Sequence, residues 1–271
     1  MSVVTTLCSD DGGDTWKVSE ARLMVPPPDG YVGDHAGASD PTIVSFRGGR
    51  LWMVMRTQTG RLYESSSRDG MRWTPPQASR FRSPDSPAFA LRLPDERVVL
   101  FWNDCADPPA GKGRRGRGRP DVLHAAVYDP DDMGWLHHRE VYRDPERNER
   151  PPASGRCPAA DPRAVVARDG TIVLVTGPTK DGRSLLVIDP RWLCATERRD
   201  DFAGGLGGWS VFRPPGSGEQ APGGRVQGTR LVGHPTRASG SALRLRKVEG
   251  APGDGAVWNF PRGRQGRLVL R

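Results

Sequence analysis

The sequence predicts an all-β chain, a partial β-propeller of short four-stranded sheets, and three observations carry that expectation. Glycine and proline number 34 and 26 among 271 residues, a composition of many turns and short strands rather than long helices. Three stretches repeat one plan: a proline, an apolar strand, a short turn and a second apolar strand. A turn built on serine, aspartate, glycine and tryptophan alternates with them.

The repeated stretches are "PTIVSFRGGRLWMVM" from Pro41, "PAFALRLPDERVVLFW" from Pro87 and "PRAVVARDGTIVLVT" from Pro162. From the proline to the first residue after the turn the count is 9, 10 and 9, ending at Arg50, Arg97 and Thr171. Strands of this length joined by Gly, Asp or Glu turns read as β-hairpins. A proline as first residue of a strand removes no ladder bond.

The turn appears first in "CSDDGGDTWK", where Ser9, Asp11, Gly13, Thr15 and Trp16 follow the pattern S-x-D-x-G-x-T-W. Asp and Ser side chains bond backbone N–H groups within a tight turn, and glycine supplies positive φ. Trp16 is expected to bury its indole beside neighbouring strands and to find a partner for its N–H. "SSRDGMRW" (66–73) keeps Ser67, Asp69, Gly70 and Trp73 in a form one residue shorter, and "YDPDDMGW" (128–135) keeps acids, a glycine and Trp135. The tryptophans at 16, 73 and 135 are 57 and 62 residues apart, close to the spacing of propeller blades with four strands each.

In each blade the Pro-led hairpin supplies the inner pair of strands, and a third strand such as "RLYESS" or "VLHAAVY" runs into the turn before a fourth. The chain opens within a blade, at a strand "SVVTTL", and continues through blades at 31–85, 86–145 and 155–195. About three and a half blades are thus expected over 1–195. From residue 198 the text changes to Gly- and Pro-rich sequence with the strands "SALRLRK", where Ala242, Leu243, Leu245 and Val248 stand, and "GRLVLR". Residues 198–271 therefore read as a partial β-sandwich-like module.

Charge and cysteine usage narrow the partners. The formal charge is +8, carried by 36 arginines and only 4 lysines. The dense basic segment "GKGRRGRGRP" (111–120) contains no aromatic residue to stack on bases, so a solvated Arg/Gly loop is expected there rather than a nucleic-acid site. Cysteines at 8, 105, 157 and 194 form no C-x-x-C pair, and the five histidines are scattered. His137 and His138, being adjacent, would face opposite sides of a strand. No metal and no cofactor is expected. "GGLGGW" lacks the strand-then-helix setting of a phosphate loop. No apolar run approaches the length of a membrane span, and the N-terminus lacks the basic start and apolar core of a signal peptide. Compartment and oligomeric state are open on sequence alone, as is secretion of a longer parent.

These residues resemble the sialidase superfamily, in which Asp-box turns decorate a six-bladed propeller. The resemblance covers about residues 1–195, and the tail, with "DDF…GW" and "GAVWNFP", resembles a C-terminal module of large bacterial sialidase-like proteins. It implies a glycan partner ending in an acidic sugar. The family holds the sugar carboxylate with three arginines, whose planar forks match it. It attacks with a tyrosine, beside which lies a glutamate, and uses an aspartate as acid/base. Carried over, Arg56 at the end of its hairpin matches one triad arginine and Arg119 before "PDVLHAAVY" another, with Arg114, Arg115 and Arg117 as competitors. Asp40 stands where the family has glutamate, and Asp161 where it has the tyrosine. The first arginine and the acid/base aspartate would lie upstream of residue 1, so a chain truncated at its N-terminus is expected.

Plainer readings stand beside these. Arg56 can be a strand-end arginine pairing a surface acid, Asp40 and Asp161 turn residues before proline, Arg119 a loop arginine, and Tyr63 and Tyr142 strand residues. Two functions follow: a sialidase-like glycoside hydrolase acting on terminal acidic sugars, or a non-catalytic propeller fragment that binds glycan or protein.

Overall fold

A computed structural model describes residues 1–31, 36–104, 122–143, 159–177, 183–206, 209–212, 230–245, 255–258, 262–263, 265–267 and 269. Strands β1 (Leu7–Cys8) and β2 (Lys17–Val18) pair antiparallel around the first Asp-box. The strand expected over "SVVTTL" is shorter than its apolar pattern: beyond β1 it holds only single bridges, Val4 to Leu23 and Ser2 to Gly37.

Two complete four-stranded antiparallel sheets follow, as the repeat predicts. The first orders β3 (Ser39–Ser45), β4 (Leu51–Arg56), β5 (Arg61–Ser67) and β6 (Gln77–Arg82) side by side. The second orders β7 (Phe89–Arg92), β8 (Val98–Trp102), β9 (Val122–Asp129) and β10 (Gly134–Arg143) likewise. A third sheet holds β11 (Arg163–Val166), β12 (Ile172–Thr176) and β13 (Ser184–Ile188). All three Pro-led hairpins close alike, by backbone bonds of 2.8 Å from Phe46 to Arg50, Leu93 to Arg97 and Ala167 to Thr171. Each turn places a positive φ at one equivalent residue, Gly49 (78°), Glu96 (71°) and Gly170 (86°).

The third sheet shows no fourth strand among the described residues. After β13 comes a short helix α1 (Pro190–Cys194), capped by Asp189, whose side chain accepts from the Arg191 N–H, with proline in the first turn. Towards the C-terminus, β14 (Trp209–Phe212) pairs with β17 (Gly255–Trp258), and β15 (Arg230–Gly233) pairs with β16 (Ser241–Arg244). The strand expected over "GRLVLR" is absent at the described residues 265–267 and 269. Among the described residues, no helix is long and apolar enough to cross a membrane.

The core consists of three layers between successive sheets. Trp52 and Val54 of β4 point one way, into a cluster with Val98, Leu100 and Trp102 of the second sheet. Met53 and Met55 point the other way, against Val4, Leu23 and Val25. In the second sheet Val99 and Phe101 turn from that neighbour towards Ile172 and Leu174 of the third. β4 and β8 are therefore buried on both faces, which is why they read as unbroken apolar runs instead of alternating patterns. The outer faces of the first strand pair and of the third sheet differ: Leu7, Trp16 and Val18 on one, and Val165, Leu185 and Val187 on the other, are exposed.

The three tryptophan turns do unequal work. In the second box Trp73 donates to Gly70 O at 2.8 Å and to Thr6 Oγ1 at 3.1 Å, and its ring packs on the Met53/Met55 layer. In the first, Trp16 donates to Gly13 O at 2.9 Å but is 60% exposed. The burial expected for Trp16 does not occur, because no described strand covers its ring. Trp135 packs beside Phe46, Trp52, Phe81 and Tyr128. Accordingly, Trp73→Ala is expected to destabilise the fold by about 3 kcal/mol and Trp16→Ala by less than about 1 kcal/mol. Urea denaturation of the two variants measures the difference, and equal losses would contradict the packing described.

Candidate functional site

Counted equally from the residues that close the hairpins, the equivalent positions are Arg56, the last residue of β4, and Asn103 and Gly177, the first residues beyond β8 and β12. They share one rim of the stacked sheets. At the second hairpin Asn103 is wholly occupied with structure: it accepts from Ser86 Oγ at 2.7 Å and donates to the carbonyls of Val122 and Ala159 at 2.8 and 2.9 Å. At the third, Gly177 has no side chain, and its N–H bonds Ala160 O at 2.7 Å. The first hairpin alone presents a charged group.

That group is held tightly. Arg56 Nε donates to Ser39 Oγ at 2.9 Å, lies 2.7 Å from Asp40 Oδ2 and 3.6 Å from Asp85 Oδ1. The Arg56 side chain is 18% exposed and that of Asp85 only 4%, whereas Asp40 is 45% exposed at the surface. Gln58, buried, extends the cluster by donating to Asp85 Oδ1 at 3.2 Å and accepting the Gly37 N–H at 2.7 Å. Every recorded contact of Arg56 runs through Nε. Among the described residues no hydrogen bond engages its two Nη groups.

Backbone geometry aims Asp40 at Arg56. Ser39 is the ladder partner of Arg56, and the register then slips between Ser39 and Thr42. Within that bulge Asp40 takes φ 44°, a left-handed conformation that few residues other than glycine adopt. Bulges of this kind re-aim side chains beside sites. Asp161, which also precedes a proline, repeats the conformation at φ 51°. No ion pair joins it to the Arg56 cluster among the described residues. The structure thus joins Arg56 and Asp40 of the expected site, and no hydrogen bond or ion pair links Asp161 to them among the described residues; Arg119 lies outside the described residues.

Asp85 and Gln58 are additions that the sequence reading missed. A signal for Asp85 existed: an aspartate stands one or two residues before each hairpin proline, at 40, 85 and 161.

The Asp-box residues hold turns, as expected. Ser9 Oγ accepts the Gly13 N–H at 2.8 Å and donates to Asp11 Oδ1 at 2.8 Å, while Asp11 takes the Thr15 N–H at 2.9 Å. Ser67 Oγ accepts the Gly70 N–H at 2.9 Å, and Asp69 the Arg72 N–H at 2.8 Å. The Thr15 hydroxyl and N–H hold Asp11 below the usual carboxylate range, and the Arg72 N–H and guanidinium do so for Asp69.

A second polar cluster lies between the first two sheets. Two of the histidines, His124 and His138, meet in space although they are apart in sequence. His138 Nε2 lies 3.1 Å from His124 Nδ1 and 3.6 Å from Asp104 Oδ2. Burial, followed by the charges of Arg262 and Arg80, pulls His138 down to about 4. Burial raises Asp104, opposed by Arg82 and Arg262. Nearby, a cleft of about 380 Å³ opens between the sheets, lined by Trp52, Tyr128 and Trp135 together with Arg50, Glu64 and Arg80.

Two measurements check this electrostatic account. Asp85 is buried, so a double-mutant cycle of Arg56→Leu with Asp85→Asn should give a coupling of about 1–3 kcal/mol. The exposed pair Lys17–Asp10 should give none that is measurable. His138 is neutral in the fold while an unfolded imidazole titrates near 6.5. Its contribution to stability is therefore present above that value and lost as pH falls from about 6.5 towards 4. Denaturant midpoints between pH 7.5 and 4.5, taken with a chelator, should fall less steeply in His138→Gln; parallel curves would refute the assignment.

Residues 2–119 match a family described as the BNR repeat-like domain. Among solved structures, a mutant of the NanB sialidase of Streptococcus pneumoniae is similar at 20% identity, over 68% of this chain and 26% of that one, with a TM-score of 0.44. The intramolecular trans-sialidase of Ruminococcus gnavus, in complex with oseltamivir carboxylate, is similar at 16% identity, over 70% and 39%, with a TM-score of 0.46. The Bacillus subtilis arabinanase Arb43A is similar at 19% identity, over 58% and 55%, with a TM-score of 0.40. This chain thus spans about a quarter of the length of the NanB sialidase. No curated protein matches it. Residues 2–119 thus match a BNR repeat-like domain, and the Asp-box turns and stacked four-stranded sheets give the chain the fold of a partial β-propeller.

Proposed function

We propose that this chain handles terminal acidic sugars of glycans on the sialidase plan, with Arg56 as the group that takes the sugar carboxylate. The supporting observation is the posture of Arg56: fixed at Nε by Asp40 and Ser39, with its Nη pair uncommitted among the described residues. A guanidinium held in this way offers a carboxylate two parallel donors in a fixed plane. Asp40 orients it, and Asp85 supplies a buried countercharge. Arg119 is the second guanidinium in this reading. We further assign the propeller sheets to residues 1–195 and a separate, sandwich-like module to 198–271.

Turnover needs a nucleophile at the anomeric carbon, and in this reading Asp161 stands where the superfamily resemblance places tyrosine. A carboxylate at that place would repel the substrate carboxylate by about 1 kcal/mol in water and about 4 kcal/mol at an effective dielectric of 20, for an approach of about 4 Å. That favours a second reading, a non-catalytic glycan-binding propeller. The cleft lined by Trp52, Tyr128 and Trp135 supports it, since aromatic faces with polar tips suit a sugar ring.

Two assays on the purified chain separate the readings. One follows release of a fluorescent leaving group from an α-sialoside, and the other follows sialyllactose binding by ligand-observed NMR. Hydrolysis abolished by Arg56→Ala supports the enzyme. Binding without hydrolysis, weakened at least tenfold by Arg56→Ala, supports recognition alone at the rim; binding weakened instead by Trp135→Ala moves it to the cleft. Neither hydrolysis nor binding by folded protein overturns both.

A further inference from the structure

We infer that Asp104, His124 and His138 form a binding site for a divalent first-row transition cation of the zinc class. One ligand atom from each residue can be chosen so that all lie within 4.8 Å of one another. The two imidazole nitrogens face each other at 3.1 Å. Zinc–nitrogen bonds of about 2.0–2.1 Å put two ligating nitrogens about 3.3 Å apart at a tetrahedral angle and about 2.9 Å apart at a right angle. The observed separation falls between these. Two imidazoles and one carboxylate leave further coordination positions open, and an imidazole pair selects zinc, cobalt, nickel or copper over magnesium and calcium.

The site is built by a defect in the sheet. His124 lies in β9 opposite Glu140 of β10, on the face shared with Trp102. The β9–β10 register slips between Leu136 and Arg139, with His137 at φ 52°. In a regular ladder running on from the Leu136–Val127 pair, His138 would sit opposite Ala125 and point away from His124. The extra residue of the bulge turns it to the His124 face. Asp104 reaches the same place from just beyond the end of β8.

Surrounding groups act as outer supports. Arg82 Nε lies 3.8 Å from Asp104 Oδ1, an atom that is buried and without a hydrogen bond. Such a partner orients the carboxylate with Oδ2 towards the imidazoles. The Trp102 ring, 4.7 Å from that of His138 and 5.9 Å from that of His124, forms an apolar wall. The charges of Arg80, Arg82 and Arg262 oppose a cation, so binding in the micromolar range is expected rather than the tight closure of a structural zinc site.

The test uses the full chain, stripped with a chelator and desalted. Calorimetric titration with zinc chloride should show one site that His124→Ala and His138→Ala each weaken at least tenfold, while His234→Ala leaves it unchanged. Cobalt(II) should give visible d–d absorption in the parent protein and lose it in the conservative variants His138→Gln and Asp104→Asn. Magnesium and calcium should give no signal. Absence of stoichiometric zinc binding by the folded parent chain overturns the proposal, which needs no variant to fold. So does zinc binding that survives in the double variant His124→Ala/His138→Ala. In either case the 3.1 Å contact is an ordinary imidazole–imidazole hydrogen bond.

Discussion

Everything in this molecule depends on sheets that cannot stand alone. A four-stranded sheet of this size has two apolar faces and buries neither by itself; each is covered only by the next sheet in the series. The second strand of each hairpin bears this constraint most directly. Side chains of β4 and β8 leave alternately towards the preceding and the following sheet, and both sets are buried. The fully buried members each contribute about 1.5–3 kcal/mol relative to exposure. Stability is thus shared between neighbours, and a blade is best regarded as half of two interfaces.

That stacking also determines where chemistry can reside. The interiors of β4 and β8 are committed to packing, so at these two strands the polar and charged groups stand at or just beyond the end. At the rim, equivalent positions differ: Asn103 ties the second sheet to the carbonyls of Val122 and Ala159, Gly177 bonds Ala160 O through its N–H, and Arg56 carries charge. The same scaffold position carries a buried amide in one repeat and a guanidinium in another. Positive-φ backbone precedes the hairpin proline at both Asp40 and Asp161, in keeping with the tendency of such conformations to persist where surrounding structure enforces them.

Much of this was legible in the residues, and the exceptions have physical causes. The Pro-led hairpins were readable because proline, turn glycines and apolar runs are local signals that tertiary packing reinforced. Hairpin geometry put Arg56 and Asp40 on one rim, while the bulge that turns the Asp40 carboxylate onto the guanidinium was not readable. Asp85 and Gln58 were not visible in the same way, since Asp85 joins from the connection between the first two sheets and Gln58 from the turn that follows Arg56. The exposure of Trp16 was hidden because its turn is encoded locally while its burial depends on what lies over it. The helix α1 was announced by Asp189 before Pro190, a start signal lost beside the stronger repeat. The His124–His138 contact was out of reach: alternation correctly separates His137 from His138, but only the bulge decides which of them meets His124.

That bulge has an evolutionary corollary. Removing one residue between Leu136 and Arg139 would join the Leu136–Val127 and Arg139–Ala125 pairs in regular register, and the positions that follow would keep their sides of β10. A one-codon deletion at the bulge is therefore a local event, able to take away an imidazole while the rest of the blade keeps its pairing.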